Sequence, residues 1–325
     1  MLELNYHITI GNYLFRRVVG VKVNSAWRTL GDTATIELPG LKGLLAKQTA
    51  KGGGIKAGDA VTIKLGYNGQ LTTEFEGFVS MVKPNIPMVI ECEDYLYKLR
   101  RVQLLTKSCP SLMQAIQLIQ NKVPEVEIDD DVQDISLGTL RLDYTAATLL
   151  QKFQKDYGLA CYFRGRKLFV GLPLTDFAKE TASYRIRYDG PGNVIDTDLE
   201  FKTRDQVKLK IKAIGVTKKG RDVIKVEDNI GDPDGELRTL FFWDVTDRAQ
   251  LERLAKAELD KAKFDGYEGG ITAFGWPNVR HSDAVWFRDD LFPERAGKYF
   301  VDEVTTISGL KGYRREVKLG LRLDI

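Results

Sequence analysis

Histidine is the side chain best suited to moving protons near neutral pH, and the sequence holds two, His7 and His281. Neither stands in an HExxH or HxH spacing, so neither offers the helical pair that grips a zinc ion. His281 is followed two residues later by Asp283, the minimum for an acid/base pair, although a histidine beside a turn-forming acid is also what a strand entry requires. Gly52-Gly53-Gly54-Ile55-Lys56 resembles a phosphate cradle, but no closing Gly-Lys-Ser/Thr and no helix follow, and it reads as a flexible linker. The stretch DNIGDPDGE at 228–236 has the acid density of a calcium loop. Ile230 falls where a ligand oxygen is needed and Pro233 stiffens the segment, so a hairpin turn is expected there. Asp129, Asp130 and Asp131 are adjacent, too close to flank a sugar, and read as a solvated loop. No GxSxG or GxxxxGK[ST] element occurs. Cys92, Cys109 and Cys161 are odd in number, widely spaced and without a CxxC partner, which suits buried small hydrophobes in a reducing compartment. No catalytic, cofactor-binding or metal-ligating residue is assigned, no cofactor is expected, and the chain reads as a non-enzyme.

The elements that would position such residues set the rest of the reading. At 325 residues, with 43% hydrophobic and 29% charged, the chain is of the ordinary globular class and long enough for two or three domains. Lys+Arg 48 against Asp+Glu 45 leaves a net charge of +3 with the signs interspersed, and no basic block marks a nucleic-acid or membrane surface. The rival binding reading is a barrel that grips nucleic acid or glycan through interleaved aromatic and basic residues, as in Tyr184-Arg185-Ile186-Arg187-Tyr188. Strand alternation, however, puts the apolar members of that run on one face and both arginines on the other. The start MLELNYHITI has neither a basic nor a continuous apolar region, and no apolar run reaches the ~20 residues of a bilayer span, so neither a secretory signal nor a membrane anchor is expected.

Over 1–103 the dominant period is two, with strands in ITIGNYLFRRVVGVKVNSAW, TATIELPG, AVTIKLGY, TTEFEGFVSMV and PMVIECED, predicting a first small β-barrel domain. Its one irregular segment, 41–58, ends in glycines and reads as a long mobile loop that orders on assembly. Over 104–182 the period changes to that of an α+β inserted domain. One helix is expected from Pro110 to Pro124, another from the Thr145 cap to Gly158, followed by a hairpin turning at Arg164-Gly165. Over 183–325 strands return as a second β-barrel domain, with a helix inserted around 246–264 that starts near Thr246 and turns Ala249, Leu254, Ala255, Leu259 and Ala262 inward. The predicted fold is thus mainly β with α+β insertions: two similar small barrels plus an α+β domain.

The two barrels share a hairpin. GDAVTIKLGYNGQLTTEFEGFV at 58–79 turns at Asn68-Gly69, and SDAVWFRDDLFPERAGKYFVDEV at 282–304 follows the same order. Asp59-Ala60-Val61 matches Asp283-Ala284-Val285 at an offset of 283 − 59 = 224, and Phe78-Val79-x-x-Val82 matches Phe300-Val301-x-x-Val304 at 300 − 78 = 222. Each copy leads into a further strand with a glutamate among apolar residues, PMVIECED and RREVKLGL. Internal duplication accounts for this order better than convergence on hairpin chemistry.

These residues carry a resemblance. GDAVTIKLGY (58–67), EGFV (76–79) and IECED (90–94) resemble the first barrel of the late control protein D family, the baseplate hub proteins of contractile phages, and the related hub domains of type VI secretion spikes. GYEGGIT (266–272), FGWP (274–277), KYFVDEV (298–304) and GYRREVKLG (312–320) are similar to that family's closing segment, and LDYTAATLLQKFQKDYGLACYFRGRKLFVG to its inserted domain. The resemblance implies a homotrimeric, tail-hub-like structural protein whose two barrels per subunit form a pseudo-six-fold ring between a six-fold tail tube and a three-fold spike. It implies as partners the tail tube protein or tube initiator, the spike protein and other baseplate proteins, with DNA or an effector passing through the channel without specific binding. It also implies assembly in a bacterial cytoplasm, then residence in the virion tail or an equivalent injection particle, including those of prophages. Because the sequence stops at Ile325, the spike and any cell-wall hydrolase are expected as separate proteins.

Overall fold

The computed structural model describes residues 3–39, 54–130, 132, 134, 136–171, 180–187, 192–219, 222–243, 245, 247–263 and 265–323. The fold is mainly β, and its framework is one 13-stranded sheet made of two halves. The first half contains β1 (Leu4–Ile10), β2 (Tyr13–Phe15), β3 (Gly20–Ala26), β4 (Thr33–Leu38), β5 (Ala60–Tyr67), β6 (Gln70–Lys83) and β7 (Met88–Glu93). Alternation is the reason these runs are strands: in β5 Val61, Ile63 and Leu65 are buried between half-exposed Thr62 and Lys64. Asn68 and Gly69 both take positive φ, 51° and 82°, which the tight turn between β5 and β6 demands.

The second half contains β13 (Glu180–Ile186), β14 (Val194–Lys202), β18 (Gly266–Phe274), β19 (Ala284–Asp289), β20 (Gly297–Gly309) and β21 (Gly312–Arg322). Leaving out β2, the spatial order is β1-β5-β6-β7-β4-β3 in the first half and β13-β19-β20-β21-β18-β14 in the second. Numbered in chain order, both halves therefore read 1-4-5-6-3-2. One pairing differs in sense: β1 runs antiparallel to β5, whereas β13 runs parallel to β19. The halves are edge-joined into a continuous sheet, because β3 pairs antiparallel with β20. Each has its own core, around Ile8, Ile36, Ile63 and Ile90 in the first and Tyr184, Phe287, Tyr299 and Val301 in the second.

Between them lies the α+β unit: α1 (Leu96–Leu99), β8 (Gln103–Ser111), α2 (Leu112–Lys122), β9 (Glu127–Ile128), β10 (Ser136–Thr145), α3 (Ala146–Tyr157), β11 (Ala160–Arg164) and β12 (Lys167–Gly171). Thr145 caps α3 by accepting from the Thr148 amide, and Gly158 ends it at φ 65°, as expected. Two details shift. Pro110 belongs to β8, and Ser111 caps α2 because a hydroxyl can accept the Gln114 amide while proline has only its ring to offer. The β11–β12 turn is centred on Gly165-Arg166, since Gly165 holds the positive φ.

The strands of 209–243 stand apart from the second half-sheet, contrary to the barrel membership expected of them. β15 (Leu209–Lys219), β16 (Asp222–Gly231) and β17 (Glu236–Trp243) form their own sheet with β15 in the middle, and α4 (Arg248–Ala262) covers it. The cause is a second apolar face, Leu209, Ile211 and Ala213, which packs on Leu251, Ala255 and Leu259. Asp247 caps α4 by accepting from the Gln250 amide; Thr246 lies outside the described residues. The inward stripe is accordingly Leu251, Ala255, Leu259 and Ala262, while Ala249 and Leu254 face solvent. β17 runs parallel to β15, so the turn after Gly231 is a crossover between flanking strands and not a hairpin turn.

Candidate assembly joint

The start of the repeated hairpin has the same backbone hydrogen bonds in both copies, although the first hairpin turns tightly at Asn68-Gly69 and the second closes through a longer loop with a 3-10 turn at Pro293–Arg295. In the first half, the Gly58 amide donates to Val79 O at 2.8 Å, Val79 N to Asp59 O at 2.9 Å, Asp59 N to Lys56 O at 3.1 Å and Lys56 N to the Asp59 carboxylate at 2.9 Å. In the second, Ser282 N donates to Val301 O at 2.8 Å, Val301 N to Asp283 O at 2.9 Å, Asp283 N to Arg280 O at 3.3 Å and Arg280 N to the Asp283 carboxylate at 2.8 Å. Gly58 and Ser282 occupy the same left-handed position, at φ 91° and 64°. A register break follows Val79 on the β7 side and Val301 on the β21 side, so even the bulge is shared. The glutamates of the following strands are not equivalent: Val82 faces Ile90 and Val304 faces Val317, which aligns Glu91 with Lys318.

The halves meet where β3 lies on β20, with six facing pairs from Glu303/Ala26 to Ser308/Val21. Trp27 Nε1 donates to Asp302 at 2.9 Å, Ser308 Oγ to the Tyr6 hydroxyl at 2.9 Å and the Tyr67 hydroxyl to Tyr313 O at 3.2 Å. Trp27 also meets Phe300 edge-on, ring centroids 6.1 Å apart. All of these cross from one half to the other.

Inside the joint Arg315, 1% exposed, forms an ion pair with Glu74 at 2.7 Å. All five guanidinium protons have acceptors: Gly275 O at 2.9 Å from Nε, Thr306 Oγ1 at 3.0 Å and Val279 O at 3.4 Å from Nη1, and Glu74 at 2.7 Å and the Tyr313 hydroxyl at 2.9 Å from Nη2. The Tyr313 hydroxyl in turn donates to Glu74 at 2.7 Å. Burial alone would lower the Arg315 pKa; attraction to Glu74 and its hydrogen bond, together with the Tyr313 and Tyr184 phenols, outweigh it and leave the guanidinium more firmly charged than usual. The Tyr313 phenol is pushed up, first by burial and then by Glu74. Such a pair is compatible with a core because all five guanidinium protons have acceptors and both Glu74 oxygens have donors, Oε2 accepting from the Thr306 hydroxyl at 3.3 Å.

A cavity of about 310 Å³ opens beside this network, lined by Asp32, Glu74 and Asp94 from the first half, Arg164 and Lys167 from the α+β unit, and Arg280, His281 and Arg315 from the second half. Burial pushes Asp32 up to about 7, against the Ser25 hydroxyl bond at 2.7 Å and the charge of Arg280. Asp94 is raised well above the carboxylate range by burial and by Asp32, while its oxygens accept from the Asp32 and Leu96 amides at 2.7 and 2.8 Å. Burial pulls His281 down to about 3, helped by Arg164, so its ring is neutral and weakly basic. The His281 ring sits edge-on to Tyr162 at 4.8 Å with Nδ1 3.1 Å from Ser282 Oγ.

The residues weighed for chemistry are thus spread through the structure. Asp283 turns its carboxylate to the Arg280 amide, and His7 is half-buried in β1. Asp130 pairs with Lys167 at 2.9 Å and Asp228 with Arg248 at 3.2 Å, while Asp232 accepts from the Leu209 amide at 3.0 Å and pairs with Lys263 at 2.5 Å. Ile55 is fully buried in the first core; residues 40–53, Asp131 and Tyr188 lie outside the described residues. Tyr184 is buried and Arg185 exposed, as strand alternation requires. The three cysteines are buried and free. Among the described residues no helix is long and apolar enough to cross a membrane, and no group of three His, Cys, Asp or Glu could hold a metal ion. What the sequence did not reveal is the joint itself: Glu74 and Arg315 are 241 positions apart, and no local pattern links them.

No protein-family model matches the sequence, and no curated protein sequence matches it. Solved structures do. A tail protein from Neisseria meningitidis is similar over 97% of this chain and 96% of its own, with TM-score 0.65 and 15% identity. A 43 kDa tail protein of prophage MuSo2 from Shewanella oneidensis is similar over 97% of both chains, TM-score 0.61, 15% identity. An Escherichia coli component of the type VI secretion system, described as structurally similar to the phage T4 tail proteins gp27 and gp5, is similar over 99% of this chain and 77% of its own, TM-score 0.57, 7% identity. At these identities the likeness is one of fold, and the chain has the fold of tail and hub proteins.

Proposed function

We propose that this chain is a structural hub subunit of a contractile tail or related injection machine, and that three copies close a ring of six similar half-sheets. The ring would adapt a six-fold tube to a three-fold spike, with the units 1–103, 104–182 and 183–325 as its building blocks. The observation that carries the reading is the shared strand order of the two halves, 1-4-5-6-3-2, together with the reproduced loop geometry at Gly58 and Ser282. A chain holding two equivalent modules side by side turns three-fold symmetry into approximate six-fold symmetry at the level of the module. The tail and type VI secretion structures that share the fold support the setting. The work is mechanical, and the ionisable groups of the joint serve by holding the halves at a fixed angle. Assembly in the bacterial cytoplasm, late-control-D-type tube, spike and baseplate partners, and a channel that passes DNA or an effector unread belong to this reading.

Light scattering on the purified protein tests it. The expected particle has three times the 36.7 kDa chain mass and does not degrade peptidoglycan. A monomer with cell-wall hydrolase activity contradicts it, and a monomer with salt-dependent oligonucleotide binding points to the barrel-binding alternative.

A further inference from the structure

The chain contains one joint between half-sheets, and its two halves are equivalent, so the structure specifies what a second joint of the same kind would look like. In the joint present, the strand in second chain-order position of the first half, β3, adds to the fifth-position strand of the second half, β20. The matching elements left over are β14, the second-position strand of the second half, and β6, the fifth-position strand of the first. Both offer open edges among the described residues. β14 pairs only with β18, and the β5 side of β6 has no strand partner beyond Phe78, where β5 begins at Ala60.

The register follows from the pairings. Residues of β20 lie 222 after their β6 counterparts, as Val79 and Val301 show. Ile36 faces Ile90 and Ile271 faces Val317, which makes Ile36 and Ile271 equivalent; Val21 faces Ile36 and Thr197 faces Ile271, so β14 follows β3 by 197 − 21 = 176. Carrying over Glu303/Ala26, Val304/Ser25 and Thr305/Asn24 gives Met81/Lys202, Val82/Phe201 and Lys83/Glu200.

We propose that β14 of one copy adds antiparallel to the β6 edge of a second copy, with Met81, Val82 and Lys83 facing the partner subunit's Lys202, Phe201 and Glu200. This rests on the trimeric reading and names its contact. The side chains fit the pairing. Val82 meets an aromatic ring on one face, and Lys83, which pairs with Glu91 of its own subunit, gains a second carboxylate in the partner's Glu200 where the internal joint has a Thr305 to Asn24 hydrogen bond at 3.4 Å. Met81 is 51% exposed in the single chain, an apolar side chain on an open edge, which the stem of Lys202 would cover. The contact is head-to-tail, the kind that propagates from copy to copy and makes a ring when the rotation per step closes, as the trimeric reading requires. It is also shorter than its internal counterpart: β6 ends at Lys83, whereas β20 continues to Gly309, leaving three facing pairs in place of six. Assembly is accordingly the weaker of the two joints.

The test uses the full chain with Lys83→Cys and Glu200→Cys combined, each single variant as control, and light scattering on all three before oxidation. Directly opposed strand residues bring Cβ atoms about 4.5–5.5 Å apart, close enough for a disulfide after small adjustment. The expected result is a reducible covalent ladder ending at trimer in the double variant alone. Independently, Lys83→Glu weakens self-association about two- to five-fold and Glu200→Lys added to it restores the affinity. A trimer by light scattering with no cross-link and no charge rescue overturns this joint and leaves the trimer standing. A monomer overturns the trimer and the joint with it.

Discussion

The first half-sheet and the second share a backbone plan and part company at the place where they touch. Register puts Met88 of β7 and Arg315 of β21 at the same point: Met88 faces Leu38, and Arg315 faces Ala273, which is Leu38's equivalent. Met88 is 1% exposed in an apolar core, and Arg315 is equally buried but belongs to the Glu74 network. The loop and bulge, which are matters of backbone geometry, stayed alike at Lys56, Gly58 and Asp59 and at Arg280, Ser282 and Asp283. The backbone that folds each half is thus common to both, while the buried polar network across the joint draws Glu74 from the first half and Arg315, Thr306 and Tyr313 from the second.

The largest expected effect comes from removing that difference. Arg315→Met makes the second half resemble the first but strands the buried Glu74 carboxylate, and a loss of about 3–5 kcal/mol in denaturant unfolding is expected. Combining it with Glu74→Gln should recover most of the loss, since no charge then remains buried. If Arg315→Met alone were neutral, the network would not be what holds the halves together.

A smaller effect separates the two turn positions. Gly58 sits at φ 91° with the Tyr97 hydroxyl 3.3 Å from where a Cβ would stand, and Gly58→Ala should cost about 1–2 kcal/mol. Ser282 already tolerates φ 64°, and Ser282→Gly relieves that backbone while giving up the Oγ contact with His281, so stability should change by no more than about 1 kcal/mol. Equal costs at the two positions would contradict their equivalence.

The smallest effect is in the pH profile, where Asp32 and His281 oppose each other across the cavity. Asp32 keeps its proton in the fold until about pH 7, whereas an unfolded aspartate loses it near 3.8; its favourable contribution is present at low pH and lost as pH rises through about 7. His281 stays neutral in the fold down to about 3, whereas an unfolded histidine protonates near 6.5; its contribution is present above 6.5 and lost as pH falls toward 3. In the native protein the two slopes cancel in part between pH 4 and 6.5. Asp94, held protonated by the same burial, adds to the Asp32 slope. Thermal melts of His281→Gln should therefore show stability rising on acidification over that window more steeply than in the native protein, and those of Asp32→Asn should shift the profile in the opposite sense. Parallel profiles would mean that the cavity does not set these protonation states.

Much of the fold was legible because short-range chemistry fixes it. Asn68-Gly69 announces its turn, Thr145 and Gly158 bracket α3, and the alternation around Val61 and Ile63 marks a half-buried strand. The repeat could be read from Asp59 and Asp283 because a turn needs the same acid at the same distance. The parts that were missed depend on contacts far apart in sequence. Strands β15 to β17 alternate like any others, and nothing local says that they leave the second half-sheet to pack on Leu251 and Ala255. A single-position error in the cap, Thr246 for Asp247, was enough to misplace the inward stripe of α4. Glu74 and Arg315 are ordinary strand charges until the sheet brings β6 and β21 together.

The central claim is that two equivalent modules in one chain let a threefold assembly present six similar units. Electron microscopy of the purified protein, viewed down its symmetry axis, tests that most directly. A closed ring of six similar lobes with strict three-fold symmetry is the result this account predicts, and a single pair of lobes per particle at all accessible concentrations would contradict it.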